Sequence, residues 1–357
     1  MKKFKSIVVL AMSVASQILM GCGEKMPDGD LDDVKMYCDF PKVMSLAEKD
    51  GERVDIDALG IMDFKLVDSL LIVSTQDKNG LWKLYRLPTF DSVGSILKLG
   101  NGPLELAYPL PINQTSLESD LTDGKNILEI PQFDKKQLVS IDLTASLDSS
   151  QLIGETKEIP NVPVFPVFYY SLPECYGYMI SVDPEKLKIK RELFKDDKSK
   201  ESRVLSLLNN RNVDSMEDIG VLSSFPVFQP GGSRVAEFQA TRGIINVFDY
   251  LSDEGFSLVR CGVETDIASS FERRDNSVTI YGGINAYKDF FVAIENEYEN
   301  EQLSGQSLLF FNWDGEPIMK INLPMKNVTC FDIDLYSSTL YILNIEEDCI
   351  LRYNFEF

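Results

Sequence analysis

A strand-and-turn unit recurs about every 53 residues along this chain, and that recurrence leaves few folds open. Short runs of β-branched and aromatic residues, such as Leu70-Leu-Ile-Val-Ser74, Trp82-Lys-Leu-Tyr-Arg86, Ile244-Ile-Asn-Val-Phe248 and Leu340-Tyr-Ile-Leu343, are separated by Gly, Asp, Asn and Pro. That pattern marks strands joined by turns. Several runs end in an acid or amide that opens a turn: Asp91, Asp142, Asp249, Asn312 and Asn354. Arg191-Glu-Leu-Phe-Lys195 falls in the widest gap of the series. The step matches one four-stranded propeller blade with generous loops.

A second repetition agrees. Phe165-Pro-Val-Phe168 returns as Phe225-Pro-Val-Phe228, and each copy opens a unit. First strands are then expected near residues 62, 112, 166, 226, 281 and 330. The last unit holds only three good strands. A fourth, taken from Val34-Lys-Met-Tyr-Cys-Asp-Phe40 near the N-terminus, would complete it and close the ring. Closure pairs the terminal edges that would otherwise recruit other chains. The expected fold is all-β: a single six-bladed β-propeller over residues 34–357, closed by an N-terminal strand.

Composition narrows function. The 357 residues include 56 acidic and 35 basic side chains, a net charge of −21, and no histidine. So acidic a chain lacks the basic face that nucleic acid requires. Without histidine, the Ser-His-Asp and Cys-His nucleophile systems and the commonest zinc sites are excluded. At 44% apolar residues, the chain can bury a sizeable core.

The first residues read as an address. Lys2, Lys3 and Lys5 precede the mostly apolar run Ile7 to Leu19, which is followed by Leu19-Met-Gly-Cys22. This resembles a bacterial lipobox, and the resemblance implies that residues 1–21 are a lipoprotein signal peptide and that Cys22 carries the lipid. The run is too short to span a bilayer comfortably. Residues 22–33 are polar and read as a flexible acidic tether. Asp28, Asp30, Asp32 and Asp33 resemble the acidic export tags of surface lipoproteins in the Bacteroidetes, and fit a solvated linker equally well. The expected location is the cell envelope, as an outer-membrane lipoprotein held only by its lipid, with the periplasmic or surface side left open.

Leu97-Lys-Leu-Gly-Asn-Gly-Pro-Leu-Glu105 resembles the Gly-x-Gly-Pro-x-Glu turn of TolB-like six-bladed propeller lipoproteins of the Bacteroidetes. Phe310-Phe-Asn-Trp-Asp-Gly-Glu-Pro317 is similar to another turn of that family, with Asn312 in place of the usual aspartate. The resemblance implies fold and location, and little about activity. Gly100-Asn-Gly-Pro103 lacks the lysine and hydroxyl of a phosphate-binding loop and reads as an inter-blade turn.

Candidate sites are sparse. Tyr170, Gln229 and Tyr287 stand near the ends of first strands, where a propeller face presents ligand-stacking and hydrogen-bonding groups, although core or rim packing is their ordinary role. Phe165, Phe168, Phe225 and Phe228 read mostly as inter-blade core. Asp63, Glu118 and Asp332 lie on presumed first strands and would reach the channel in a calcium- or carboxylate-dependent enzyme, but nothing in their spacing marks a set. Glu295 to Glu301 offers oxygen ligands without the spacing or glycine of an EF-hand loop, and reads as a solvated face. Lys186-Leu-Lys-Ile-Lys-Arg191 reads as an edge strand guarded by lysine. No metal or cofactor is expected. With Cys22 lipidated, Cys38 and Cys349 would pair if Cys38 lay on the closing strand. These features point to a binding or interaction module whose partner is an envelope protein or a glycan; the alternative is a calcium- or carboxylate-dependent hydrolase or lyase acting in the channel.

Overall fold

The computed structural model describes residues 30–356, apart from 79, 113–114, 121–124, 150–151, 160, 175 and 197. The proposed signal peptide and Cys22 lie outside the described residues. Three short strands come first: β1 (Val34–Tyr37), β2 (Val43–Ser45) and β3 (Glu52–Arg53). Six sheets follow in chain order. Blade 1 is β4 (Ile61–Val67), β5 (Leu70–Thr75), β6 (Trp82–Arg86) and β7 (Asp91–Ile96). Blade 2 is β8 (Ser116–Asp120), β9 (Lys125–Gln132), β10 (Gln137–Asp142) and β11 (Gly154–Glu158). Blade 3 is β12 (Pro166–Leu172), β13 (Tyr176–Asp183), β14 (Lys188–Lys195) and β15 (Lys198–Lys200). Blade 4 is β16 (Ser224–Phe228), β17 (Arg234–Gln239), β18 (Ile244–Asp249) and β19 (Glu254–Arg260). Blade 5 is β20 (Tyr281–Ala286), β21 (Phe290–Glu299), β22 (Gln302–Asn312) and β23 (Pro317–Asn322). Blade 6 is β24 (Phe331–Asp334), β25 (Thr339–Asn344) and β26 (Cys349–Asn354). The expected first strands match these starts to within a few residues.

Each blade is an antiparallel meander, so four strands return the chain to the end of the ring from which it began. Inter-blade loops therefore share one end, termed the entry end, and the turns between first and second strands share the other. Short helices sit in the connections: α1 (Leu143–Ser149), α2 (Arg203–Leu208) and α3 (Ile267–Asp275).

The core consists of seams. Six apolar clusters fill the six junctions between neighbouring blades, one cluster to each junction. A middle strand faces a neighbour on both sides, which is why Leu70–Thr75 opens with the apolar run Leu-Leu-Ile-Val and is buried throughout. The outermost strand β11, Gly-Glu-Thr-Lys-Glu, is exposed throughout. Aspartates and asparagines at strand ends open turns as expected. Asp249 accepts from the backbone N–H of Leu251 and Ser252, and Asn312 from those of Asp314 and Glu316.

The N-terminal segment departs from expectation in its path. The ring is closed by an N-terminal strand, but that strand is β3, which pairs antiparallel with β26 through Leu351↔Arg53 and Arg352↔Glu52. Val34–Tyr37 instead runs parallel to β19 of blade 4, and β2 runs parallel to β23 of blade 5. The segment thus wraps three consecutive blades from outside.

This path settles the cysteines. Tyr37 lies opposite Arg260, so the next residues in parallel register are Cys38 and Cys261, and these form the disulfide, with Cα atoms 5.0 Å apart. Cys349 is a buried free thiol and not the partner of Cys38. The tether is also shorter than expected. Asp30 and Leu31 are buried against the propeller, because Arg242 and the seam between blades 3 and 4 receive them. The short β15 pairs only with residues 193–195, so residues 188–191 remain on the outer side of the sheet, where the Asn209 side chain bonds the backbone of Arg191.

Candidate functional site

The first strand of each blade pairs on one side only and borders the central channel. Tyr170, Gln229 and Tyr287 fall at the same end of these strands in three consecutive blades, the end away from the entry loops. Tyr170 is half-buried and stacks on Phe228, with ring centroids 4.0 Å apart. Gln229 follows Phe228 and donates from Nε2 to the carbonyl of Lys288 at 2.9 Å, tying the turn of blade 4 to that of blade 5. Tyr287 is buried, and its hydroxyl donates to Asp332 Oδ1 at 2.8 Å while accepting from the Ile333 N–H at 3.1 Å. Burial, and then the Asp332 charge, push the Tyr287 hydroxyl pKa well above its ordinary value. Tyr287 is therefore a structural donor locked in a seam.

Asp332 is its counterpart. Its Oδ2 accepts from the Leu66 N–H at 2.8 Å and lies 3.6 Å from Lys65 Nζ. Lys65 in turn donates to Asn285 Oδ1 at 2.7 Å, and Asn285 donates to the Phe331 carbonyl. First strands of blades 5, 6 and 1 are thus bolted together at the junction where the ring closes. Asp63 is buried on β4, and Glu118 lies on β8 opposite Ile127. Among the described residues, no three or more Asp, Glu, Cys or His side chains form a group that would hold a metal.

The entry end of the channel differs in character. Phe165 and Phe225 are not core as expected; they are 49% and 54% exposed, beside Val164 at 83% and Val167 at 54%. Register shifts between Pro166 and Phe168, and Val167 occupies the bulge, so its side chain leaves the seam. Phe168 and Phe228 do pack, with ring centroids 6.2 Å apart and planes within 6°. Parity explains Phe225, which sits three residues before the packed Phe228 on the unbulged β16. Phe165 precedes the start of β12, and the bulge at Val167 resets the alternation between it and Phe168. The duplicated Phe-Pro-Val-Phe held that signal. Similar bulges lie near the starts of β4 and β20.

Two charged clusters escaped the sequence analysis. Asp30 bonds Arg242 at 2.6 Å and also accepts from Asn246 at 3.1 Å and from Gln239. Burial works against ionisation of Asp30, and Arg242 with these hydrogen bonds outweighs it, holding the carboxyl below the usual carboxylate range. Glu295, expected on a solvated face, is buried between Arg260 at 2.7 Å and Lys320 at 3.0 Å.

The loop 97–106 forms one wall of a groove of about 600 Å³ between blades 1 and 2, with Leu104, Leu152 and Thr156 among its lining. Glu105 folds back onto the loop, accepting from the Gly102 N–H at 2.8 Å and pairing with Lys98 at 3.2 Å. A Cβ on Gly100 would lie 2.0 Å from Glu105 Oε2, so the glycines and the glutamate of the turn are one device. The inter-blade turn reading holds.

The sequence matches no protein-family model and no curated protein. Among solved structures, it resembles a member of the DUF4221 family from Bacteroides vulgatus, with 12% identity and a TM-score of 0.53 over 87% of this chain and 97% of that one. The chain is a six-bladed β-propeller. A luciferin-regenerating enzyme aligns over 83% of this chain and 92% of that one at 8% identity and a TM-score of 0.45. The propeller domain of Cps50 (Swd1) from Myceliophteria thermophila aligns over 86% and 100% at 10% identity and a TM-score of 0.41. At these identities the likeness concerns the fold alone.

Proposed function

We propose that this propeller is a lipid-anchored binding module of the bacterial cell envelope, and that it engages a protein or glycan partner at the entry end of its channel. One observation carries the reading: Val164, Phe165, Val167 and Phe225 stand exposed together on the first strands and loop of blades 3 and 4. Exposed apolar side chains grouped on a rigid frame mark interaction sites. Met216, in the loop between those blades, extends the same end. Tyr170 and Gln229 give the opposite end a smaller polar and aromatic rim.

The lipobox-like Leu19-Met-Gly-Cys22 supports the anchor, and the Gly-x-Gly-Pro-x-Glu turn supports membership among TolB-like lipoproteins of the Bacteroidetes. The fold-level likeness to a Bacteroides protein is in keeping with both. A channel hydrolase has no such support, since Asp332 spends both oxygens on joining blades.

In-cell crosslinking of the tagged, acylated protein tests the reading. A specific envelope partner at near-stoichiometric yield, lost in Phe165→Ser/Phe225→Ser, is the expected result. Background proteins alone, or a partner indifferent to those substitutions, would overturn it.

A further inference from the structure

We propose that the outer edge of blade 3 is a docking surface for anionic lipid headgroups, which turns the propeller to one orientation on its membrane. The inference rests on the lipid-anchor reading above and adds to it a surface. Charge distribution is the first argument. The protein carries a net charge of −21, yet residues 186–211 hold nine basic and four acidic side chains. This stretch builds β14, β15 and α2 at the periphery of blade 3.

Much of that positive charge is bonded without being cancelled. Lys188 donates to the carbonyl of Asn209 at 3.0 Å and Lys200 to the carbonyl of Tyr250 at 3.0 Å. Lys195 donates to the Tyr176 hydroxyl at 3.3 Å. A neutral oxygen satisfies an ammonium donor and leaves its charge in place. Lys195 and Lys200 also lie 4.7 and 5.0 Å from the Tyr176 ring centroid, which holds both near the outermost strand. Lys198 is exposed on that strand. Acids pair with Lys190 (Glu192, at 2.8 Å), Arg203 (Asp32), Arg211 (Asp30) and the buried Arg191 (Glu237), so the positive charge offered at this edge is that of Lys188, Lys195, Lys198 and Lys200.

The place where the tether arrives is the second argument. Asp32 bonds Arg203, Asp30 lies 3.3 Å from Arg211, and Leu31 is buried in the seam between blades 3 and 4. Cys22 precedes Asp30 by eight residues, so a lipid on Cys22 holds this point within about 28 Å of the bilayer. That reach is an upper limit. Whenever the tether brings the edge within a Debye length of the surface, about 8 Å at physiological ionic strength, an anionic bilayer attracts the lysines and repels the acidic remainder of the ring, so both forces turn the molecule the same way. Blade 3 faces the membrane and blade 6, opposite it in the ring, faces away. Both ends of the channel then open sideways, clear of the bilayer.

The test uses the acylated full-length protein on phosphatidylcholine vesicles with and without phosphatidylglycerol. Flotation with the vesicles in high salt reports the anchor alone. Amide hydrogen exchange reports docking: slowing of several-fold in β15 is expected only with phosphatidylglycerol, reversed by high salt, with β7 unchanged. Lys195→Glu/Lys198→Glu, checked for an unaltered melting temperature, is expected to abolish the slowing while flotation persists. Identical exchange in β15 on both lipids, or equal slowing in β7, would overturn the proposal. A protein that fails to float overturns the anchor reading itself.

Discussion

Arg191 of blade 3 and Glu237 of blade 4 form a fully buried ion pair across the seam between their blades. Tyr178 donates to the second carboxylate oxygen at 2.8 Å, and Arg191 Nη2 donates to Ser224 Oγ at 2.9 Å. The charges are hydrogen-bonded as well as paired, the condition under which a dry interior accepts them. Arg191→Met strands an ionised Glu237 and is expected to cost about 3–5 kcal/mol. Arg191→Met/Glu237→Gln removes both charges and keeps an acceptor for Tyr178, so it should recover much of that loss. Urea unfolding of the two variants decides; equal losses would mean that the stranded charge is not the cause.

Asp30 gives a pH dependence of defined sign. Its folded pKa is depressed, so its stabilising contribution is complete above the unfolded value, about 3.9, and is lost as pH falls through the lower folded value. Asp30→Asn is expected to lower the melting temperature by several degrees at pH 7. The gap should close as pH falls through that lowered folded value, because wild-type Asp30 is then protonating too. Calorimetry across that range checks it, and a gap that stays constant would separate the effect from ionisation.

Two glycines should differ in cost for a reason visible in their neighbours. A Cβ on Gly100 meets the mobile end of Glu105, whereas a Cβ on Gly283 meets the backbone carbonyl of Thr329 at 2.5 Å. Gly100→Ala should cost about 1 kcal/mol, the worth of the displaced hydrogen bond to Gly102. Gly283→Ala must move the backbone between blades 5 and 6 and should cost about 2–3 kcal/mol. Thermal unfolding ranks them, and the reverse order would refute the account.

The disulfide makes a mapping prediction. Non-reducing peptide analysis should recover Cys38 linked to Cys261, with Cys349 alkylated only after unfolding, since burial raises its thiol pKa and hides it. Cys38→Ser/Cys261→Ser should destabilise by at most about 5 kcal/mol on the chain-entropy view, the bridge spanning 223 residues. A Cys38–Cys349 peptide would contradict the path of β1.

The blades were legible because burial on both faces writes itself into composition. Leu70–Thr75 and Leu308-Leu-Phe-Phe311 announce seams without any knowledge of the neighbour. The path of the N-terminal segment was not legible. Val34-Lys-Met-Tyr37 suits any outer edge, and what assigns it to blade 4 is a carboxylate on Asp30 meeting a guanidinium on Arg242, 212 residues away. The exposed phenylalanines were half legible. Their repetition was plain, but which phenylalanine of each pair faces solvent depended on strand parity in blade 4 and on a bulge at Val167 in blade 3.

The segment before residue 54 finds its strand partners at residues 257–260, 320–322 and 351–352. The segment is therefore placed in steps: β1 once blade 4 exists, β2 once blade 5 exists, and β3 only with the last blade. Each blade can zip from local pairings as it is made, but the circle waits for Leu351 and Arg352. A chain cut before Cys349 would own five complete sheets and still have no ring.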